Sequence, residues 1–188
     1  MTKVAINGFG RIGRTFFKLA LKEPELEIVA LNDLGDEENL AYLLRYDTAY
    51  GRSGLKVEAK EGELVVDGKS VKFIQEKDPT KLPWKKLGVD VVVESTGAFR
   101  DKKEAGKHIK AGAKRVLITA PSKNPEITIV PGVNDNKLKN QKIISIASCT
   151  TNCLSPVAKI LNSRPKSPRA KEGPKLLTHC IARSFWNV

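Results

Sequence analysis

Cysteine is scarce in this chain: there are three in 188 residues, and two of them stand four positions apart. An odd, small number argues against a disulfide framework and makes a reducing compartment, the cytoplasm, the expected location. Long hydrophobic runs are also missing. No apolar stretch approaches the roughly 18 to 20 residues needed to cross a bilayer, which argues against a membrane protein. Met1-Thr2-Lys3 leads straight into a strand-like run, so no secretory signal is expected. Acidic residues are outnumbered 21 to 33, giving a net charge of +12. From Ser163 to Val188 six Lys/Arg face one acidic residue, and the other 162 residues carry 27 basic and 20 acidic ones. Aromatics are only 6% and do not interleave with the basic positions. Scattered lysines of this kind make a solvated face, so nucleic acid is the least favoured partner. What remains is ordinary: 40% apolar and 29% charged residues, enough for one globular domain with a sizeable core plus a fragment or tail.

Short apolar runs alternate with helix-like segments. Lys3 to Asn7 reads as a strand, Arg11 to Leu21 as a helix and Ile28 to Asn32 as a strand. Asp36 is a natural N-cap for a helix through Arg45, with Glu37 and Glu38 in its first turn. Leu64-Val65-Val66, Asp67-Gly68 and Val71 to Ile74 form a hairpin signal around a tight primed turn. Val89 to Glu94 is a buried strand, Lys102 to Ala111 a helix, and Arg115 to Thr119, Ile127 to Val130 and Ile143 to Ile146 are further strands. Thr151 to Leu161 is helical in pattern, with Pro156 acceptable only near a first turn. This alternation predicts an α/β fold: a doubly wound, mostly parallel sheet covered on both faces, with a hairpin insertion. From Ser163 the chain becomes basic and proline-rich, and is expected to be a disordered tail.

Gly8-Phe9-Gly10-Arg11-Ile12-Gly13 lies between the first strand and the first helix. Gly8 suits the tight turn, Gly10 a close backbone approach to a pyrophosphate, and Gly13 the packing of helix on strand. The free amides at the helix start would then bind the phosphates. Asp33 ends the second strand, where a carboxylate accepts from the ribose hydroxyls of NAD and repels the 2′-phosphate of NADP.

Ser148-Cys149-Thr150-Thr151-Asn152-Cys153 follows a strand and opens a helix. Amides and the positive dipole end at such a start favour a thiolate, and Ser148 and Thr150 flank it with hydroxyls able to bind a phosphate or an oxyanion. For Cys149 a nucleophile and a bystander remain open at this point. Cys153 reads better as a buried structural thiol. A metal site would need two more ligands, and His108, His179 and Cys180 do not cluster with the pair.

From about Thr2 to Leu161 the chain resembles the N-terminal half of the glyceraldehyde-3-phosphate dehydrogenase family. The resemblance rests on Ile6 to Arg14, Asn32-Asp33-Leu34, Tyr46-Asp47-Thr48, Glu94-Ser95-Thr96-Gly97, Ala120-Pro121-Ser122-Lys123 and, most specifically, Ser148 to Leu154. It implies a Rossmann-type NAD-binding domain over residues 1–150, the start of a catalytic-domain helix over 151–162 and an unmatched tail over 163–188. It places Gly8, Gly10, Arg11, Ile12 and Gly13 at the cofactor phosphates, Asp33 at the adenosine ribose, and Ser95, Thr96, Gly97 and Thr119 along the cofactor. Lys77 stands where many bacterial relatives have arginine, and lysine keeps the charge but loses the fork. Cys149 is implied as the nucleophile, with Ser148 and Thr150 binding substrate or inorganic phosphate.

The family's chemistry is the oxidation of glyceraldehyde 3-phosphate by NAD through a cysteine thioester cleaved by phosphate, a step of glycolysis, carried out by homotetramers. After Asn162 the family's second domain, which brings its base histidine, is not matched. An abrupt end of this kind is what a truncated or frameshifted reading frame produces. Leu176-Leu177-Thr178-His179 is a loose match to the histidine strand, but Cys180-Ile181-Ala182-Arg183 departs from it, so His179 reads as an incidental residue. Three functions follow: the enzyme, if another chain completes it; a stand-alone NAD-binding module without turnover; and, last, a basic nucleic-acid binder.

Overall fold

The first strand, β1 (Thr2–Asn7), is apolar towards both of its faces: Val4 and Ile6 enter one core and Ala5 enters another. A strand of that kind must be covered on both sides, and the computed structural model, which describes residues 1–163, shows that it is. The chain continues through α1 (Arg11–Ala20), β2 (Leu26–Asn32) and α2 (Glu37–Arg45) to a small ribbon of β3 (Tyr46–Asp47) and β4 (Gly51–Arg52). Next come β5 (Val57–Lys60), β6 (Glu63–Val66), β7 (Lys69–Ile74) and the short α3 (Trp84–Leu87). The second half holds β8 (Val91–Glu94), α4 (Lys102–Lys110), β9 (Arg115–Ile118), β10 (Ile127–Thr128), β11 (Ile143–Ser145) and α5 (Cys149–Ser163).

The nine-stranded sheet has the order β10-β11-β9-β8-β1-β2-β7-β6-β5. Pairs from β10 to β7 are parallel, and only β7–β6 and β6–β5 are antiparallel. The expected Rossmann-type, doubly wound sheet with a hairpin insertion is therefore present. From β1 the chain first builds outward through β2 and later returns to add β8 on the other side. The switch point consequently falls at β1, and a crevice opens at the carboxyl ends of β1 and β8.

Phe17, Leu31, Leu40 and Leu44 fill the core on one face, and Trp84, Leu82, Val89 and Val92 fill the other. Local signals act as expected. The Asp36 carboxylate accepts from the Asn39 amide at 3.2 Å and caps α2. Asp67 (φ 49°) and Gly68 (φ 81°) make the hairpin turn with both residues left-handed.

Three differences from the sequence reading bear on the architecture. The strand expected over Ile127 to Val130 ends at Thr128, because the Val130 amide turns away to Asn134 Oδ1 at 2.8 Å. β5 is an additional strand whose alternation, with Val57 buried, is too brief to read alone. The helix expected over Thr151 to Leu161 spans Cys149–Ser163, because Ser148 Oγ accepts from the Thr151 amide at 3.0 Å and caps it earlier. Pro156 therefore lies well inside the helix and not in its first turn, forgoing one backbone hydrogen bond. No residue of α5 is buried, so the freed carbonyl is not confined to a dry core. The tail expected beyond Ser163, with His179 and Cys180, lies outside the described residues. Among the described residues no helix is long and apolar enough to cross a membrane.

Candidate functional site

The glycine turn closes the crevice floor. Gly8 has φ +92°, and a Cβ there would sit 2.6 Å from the Thr96 amide nitrogen. A side chain at Gly13 would collide with the Gly8 carbonyl, so α1 can approach β1 only through glycine. Gly10 is different: nothing lies within 4 Å of the space its Cβ would take. That open cradle, at the unfilled N-cap of a helix with no acidic residue in its first turn, fits a phosphate group. Arg11 is exposed beside it, and Ile12 is 52% exposed.

Asp33 follows β2 at the same edge. Its two carboxylate oxygens accept from the Phe9 amide at 2.6 Å and the Gly35 amide at 2.8 Å, which pins the acid against the glycine turn. Arg14 Nη1 donates to the Phe9 carbonyl at 2.9 Å and braces the turn from α1. Burial lowers the pKa of that guanidinium, against the opposing pull of Asp47 and Asp33. Lys77 is exposed on the loop after β7, next to Glu76, whose backbone is held by Asn32 through two 2.9 Å bonds.

Across β1, Ser95 Oγ donates to the Gly8 carbonyl at 2.7 Å, while Thr96 and Gly97 are exposed at the rim. Thr119 directly follows the neighbouring strand β9, its amide and hydroxyl both donating to the Glu94 carbonyl at 3.0 Å. The structure thus gathers Gly8, Gly10, Arg11, Ile12, Gly13, Asp33, Ser95, Thr96, Gly97 and Thr119 along one carboxyl edge, with the Lys77 loop beside Asn32.

Cys149 is the exposed first residue of α5, which leaves the same sheet edge after β11. Ser148 Oγ lies 2.9 Å from Thr150 Oγ1 and 2.8 Å from Thr151 Oγ1, forming a hydroxyl cluster at the start of the helix that Cys149 opens. Asn152 Nδ2 donates to the Ile146 and Ser148 carbonyls and ties the helix start to the strand. Cys153 corrects the expectation of a buried structural thiol: it is exposed, and among the described residues neither it nor Cys149 forms a disulfide.

Some contributors were not assigned a role from sequence. Ala147 takes φ +61°, an uncommon left-handed conformation for alanine, immediately before the capping serine. No sequence signal marks it. Asn7, Asn32 and Glu94 are buried polar residues that each end an apolar strand at the crevice, and that repetition is a readable signal. A cavity of about 490 Å³ lined by Thr2, Asp90, Lys114, Arg115 and Lys142 opens at the opposite, amino-terminal edge of the sheet. It lies apart from this site, and Asp90 there is already paired with Lys114 at 2.6 Å.

Comparison with known proteins agrees with this geometry. Residues 2–102 match the family described as glyceraldehyde 3-phosphate dehydrogenase, NAD binding domain. Glyceraldehyde-3-phosphate dehydrogenase of Geobacillus stearothermophilus is 54% identical over 164 residues, covering 86% of this chain and 49% of that protein. Glyceraldehyde-3-phosphate dehydrogenase 1 of Bacillus cereus is 52% identical over 166 residues, covering 87% and 50%. The cytosolic enzyme of Leishmania mexicana is 53% identical over 164 residues, again covering 87% and 50%. The chain spans about half the length of the curated relatives it matches. With its glycine turn, acidic strand end and doubly wound sheet, this chain belongs to the glyceraldehyde-3-phosphate dehydrogenase family, through that family's NAD-binding domain.

Proposed function

We propose that this chain supplies the cofactor-binding half and the nucleophile of an NAD-dependent, phosphorylating glyceraldehyde-3-phosphate dehydrogenase. The observation that carries this reading is the presence, at one sheet edge, of a sealed glycine turn and an exposed cysteine on a capped helix start. Residues 1–150 act as the NAD-binding domain, and the helix that follows opens the catalytic part. Gly8, Gly10, Arg11, Ile12 and Gly13 hold the cofactor phosphates, Asp33 the adenosine ribose, and Lys77, Ser95, Thr96, Gly97 and Thr119 the remaining length. When bound, NAD supplies the acceptor for the hydride that leaves the substrate carbon.

The Cys149 sulfur attacks the aldehyde carbon to give a hemithioacetal, and oxidation leaves a thioester on the same sulfur. Ser148 and Thr150 bind the substrate or the inorganic phosphate that cleaves the thioester and frees the thiol. Glyceraldehyde 3-phosphate as substrate, a place in glycolysis and assembly into homotetramers complete the proposal. A cytosolic site of action is supported by the relative named as cytosolic.

One observation favours a second reading, an NAD-binding module without turnover. The hemithioacetal proton needs a base, and among the described residues the one histidine, His108, is fully buried between Trp84 and Glu94. The deciding experiment measures NADH formation from glyceraldehyde 3-phosphate, NAD and phosphate by the 188-residue chain and by Cys149→Ser, alongside NAD and NADP titrations. Turnover that Cys149→Ser abolishes supports the enzyme, and NAD binding without turnover supports the module. NADP binding as tight as NAD would refute the role given to Asp33.

A further inference from the structure

Beneath the crevice runs a chain of buried polar groups that none of these steps uses. Asn32 Nδ2 donates to Asn7 Oδ1 at 2.7 Å, and Asn7 Nδ2 donates to Glu94 Oε2 at 2.6 Å. His108 Nε2 lies 3.0 Å from the same carboxylate oxygen, and Trp84 Nε1 donates to His108 Nδ1 at 3.0 Å. Glu94 is 1% exposed and His108 0%. The indole N–H can only donate, so His108 Nδ1 accepts and its ring proton sits on Nε2, aimed at Glu94. The other oxygen, Oε1, accepts from the Thr96 amide at 2.8 Å and also from the Thr96 hydroxyl. Burying a carboxylate is costly unless it is fully bonded, and here each oxygen meets two donors.

The consequence appears at Thr96. Its backbone is the surface against which Gly8 closes, the nearest atom being 2.6 Å from a Cβ built on Gly8. The group that holds Thr96 therefore also sets the separation between the two lips of the crevice, one carried by β1 and the other by β8.

We infer that Glu94, oriented by His108 and Asn7, is a positioning residue for cofactor binding, holding Thr96 and through it the shape of the crevice over Gly8. The donor pattern makes this specific. A glutamine at 94 has nearly the same shape but turns an N–H₂ against a group that can only donate, the Thr96 amide on one side or the His108 Nε2–H on the other, whichever way the amide is turned. His108→Gln is the opposite case, since its amide can accept from Trp84 and donate to Glu94, whereas His108→Leu can do neither.

The inference rests on the nucleotide reading of the crevice, and the wild-type chain tests that reading separately. NAD is titrated into the full-length wild type, Glu94→Gln, His108→Gln and His108→Leu, well below each melting temperature, with folding checked by circular dichroism. Glu94→Gln and His108→Leu should weaken NAD binding about tenfold or more while remaining folded, and His108→Gln should recover most of what His108→Leu loses. In the wild type, the His108 Nε2–H proton resonance should be protected from exchange and should shift on NAD addition, which a purely structural histidine would not do. Wild-type affinity in a folded Glu94→Gln, or a His108 resonance indifferent to NAD, overturns the positioning role. If Glu94→Gln does not fold, the His108 pair and the resonance decide. Failure of the wild type to bind NAD overturns the nucleotide reading itself.

Discussion

Gly8 and Gly10 differ in what a methyl group would meet. At Gly8 it would meet the Thr96 backbone at 2.6 Å in a left-handed conformation, whereas at Gly10, with φ −71°, it would meet nothing within 4 Å. Gly8→Ala should therefore cost more than about 2 kcal/mol of folding stability. Gly10→Ala should fold within about 1 kcal/mol of wild type yet weaken NAD binding about tenfold, because the methyl enters ligand space. Urea unfolding and NAD titration of both variants separate the two effects. A Gly10→Ala chain that binds NAD normally would show that the pyrophosphate does not lie there. Ala147, like Gly8, is a constrained position. Its left-handed backbone costs about 1 to 2 kcal/mol, and the bonds from its amide to Ser145 Oγ and from Asn152 to the Ile146 carbonyl hold it.

Two elements carry predictions of their own. The hairpin depends on Asp67, which takes φ +49° and whose carboxylate accepts from the Lys56 amide at 2.9 Å, fastening the turn to the residue just before β5. Asp67→Ala loses both the tolerance for that conformation and the bond. It should destabilise the chain by about 1 to 2 kcal/mol, read from the urea midpoint, while Asp67→Asn should recover most of the loss. Helix α5 is the other. Leu154, Val157, Ile160 and Leu161 are 45%, 52%, 60% and 52% exposed, a contiguous apolar stripe at helical spacing. A stripe of this kind should make the 188-residue chain associate with itself as its concentration rises, and Val157→Lys with Ile160→Lys should abolish this. Sedimentation at several concentrations checks it, and a wild type that stays monomeric throughout would refute it.

At the scale of the whole molecule, acid stability follows from a few surface carboxylates. Asp90 has its pKa lowered by the Lys114 side chain and the Lys3 amide, and Glu126 by the Lys142 amide and Lys102. A carboxylate depressed in the folded state contributes stability that is fully present above its unfolded value. That contribution is lost as the pH falls through the lower, folded value. The urea midpoint should therefore hold steady down to about pH 5 and decline below about pH 4. Asp90→Asn should be less stable than wild type near about pH 6 and indistinguishable from it near about pH 2, where both side chains are neutral. A gap that persists in acid would mean that packing, and not charge, carries the effect.

The chain's own pattern was sufficient for the order and type of most elements, because apolar runs, the Asp36 cap, the Asp67-Gly68 turn and the glycine turn are short-range chemistry. It was also sufficient to locate a tight turn at Gly8, an acid at a strand end at Asp33 and a thiol at a helix start at Cys149, since each declares itself within a few residues, whereas the nucleophilic role of Cys149 comes from the family resemblance. What it could not supply is everything that depends on two distant segments meeting. α5 starts earlier than its apolar pattern indicates, because the cap at Ser148 depends on how Ala147 and Asn152 fasten the helix to β11. Cys153 is exposed and not buried, because burial depends on what α5 packs against, and no residue of that helix is buried. The partners of Glu94 show the same limit. Asn7 lies 87 positions away along the chain and His108 lies 14, and the doubly wound sheet alone brings them within hydrogen-bond distance beneath the crevice.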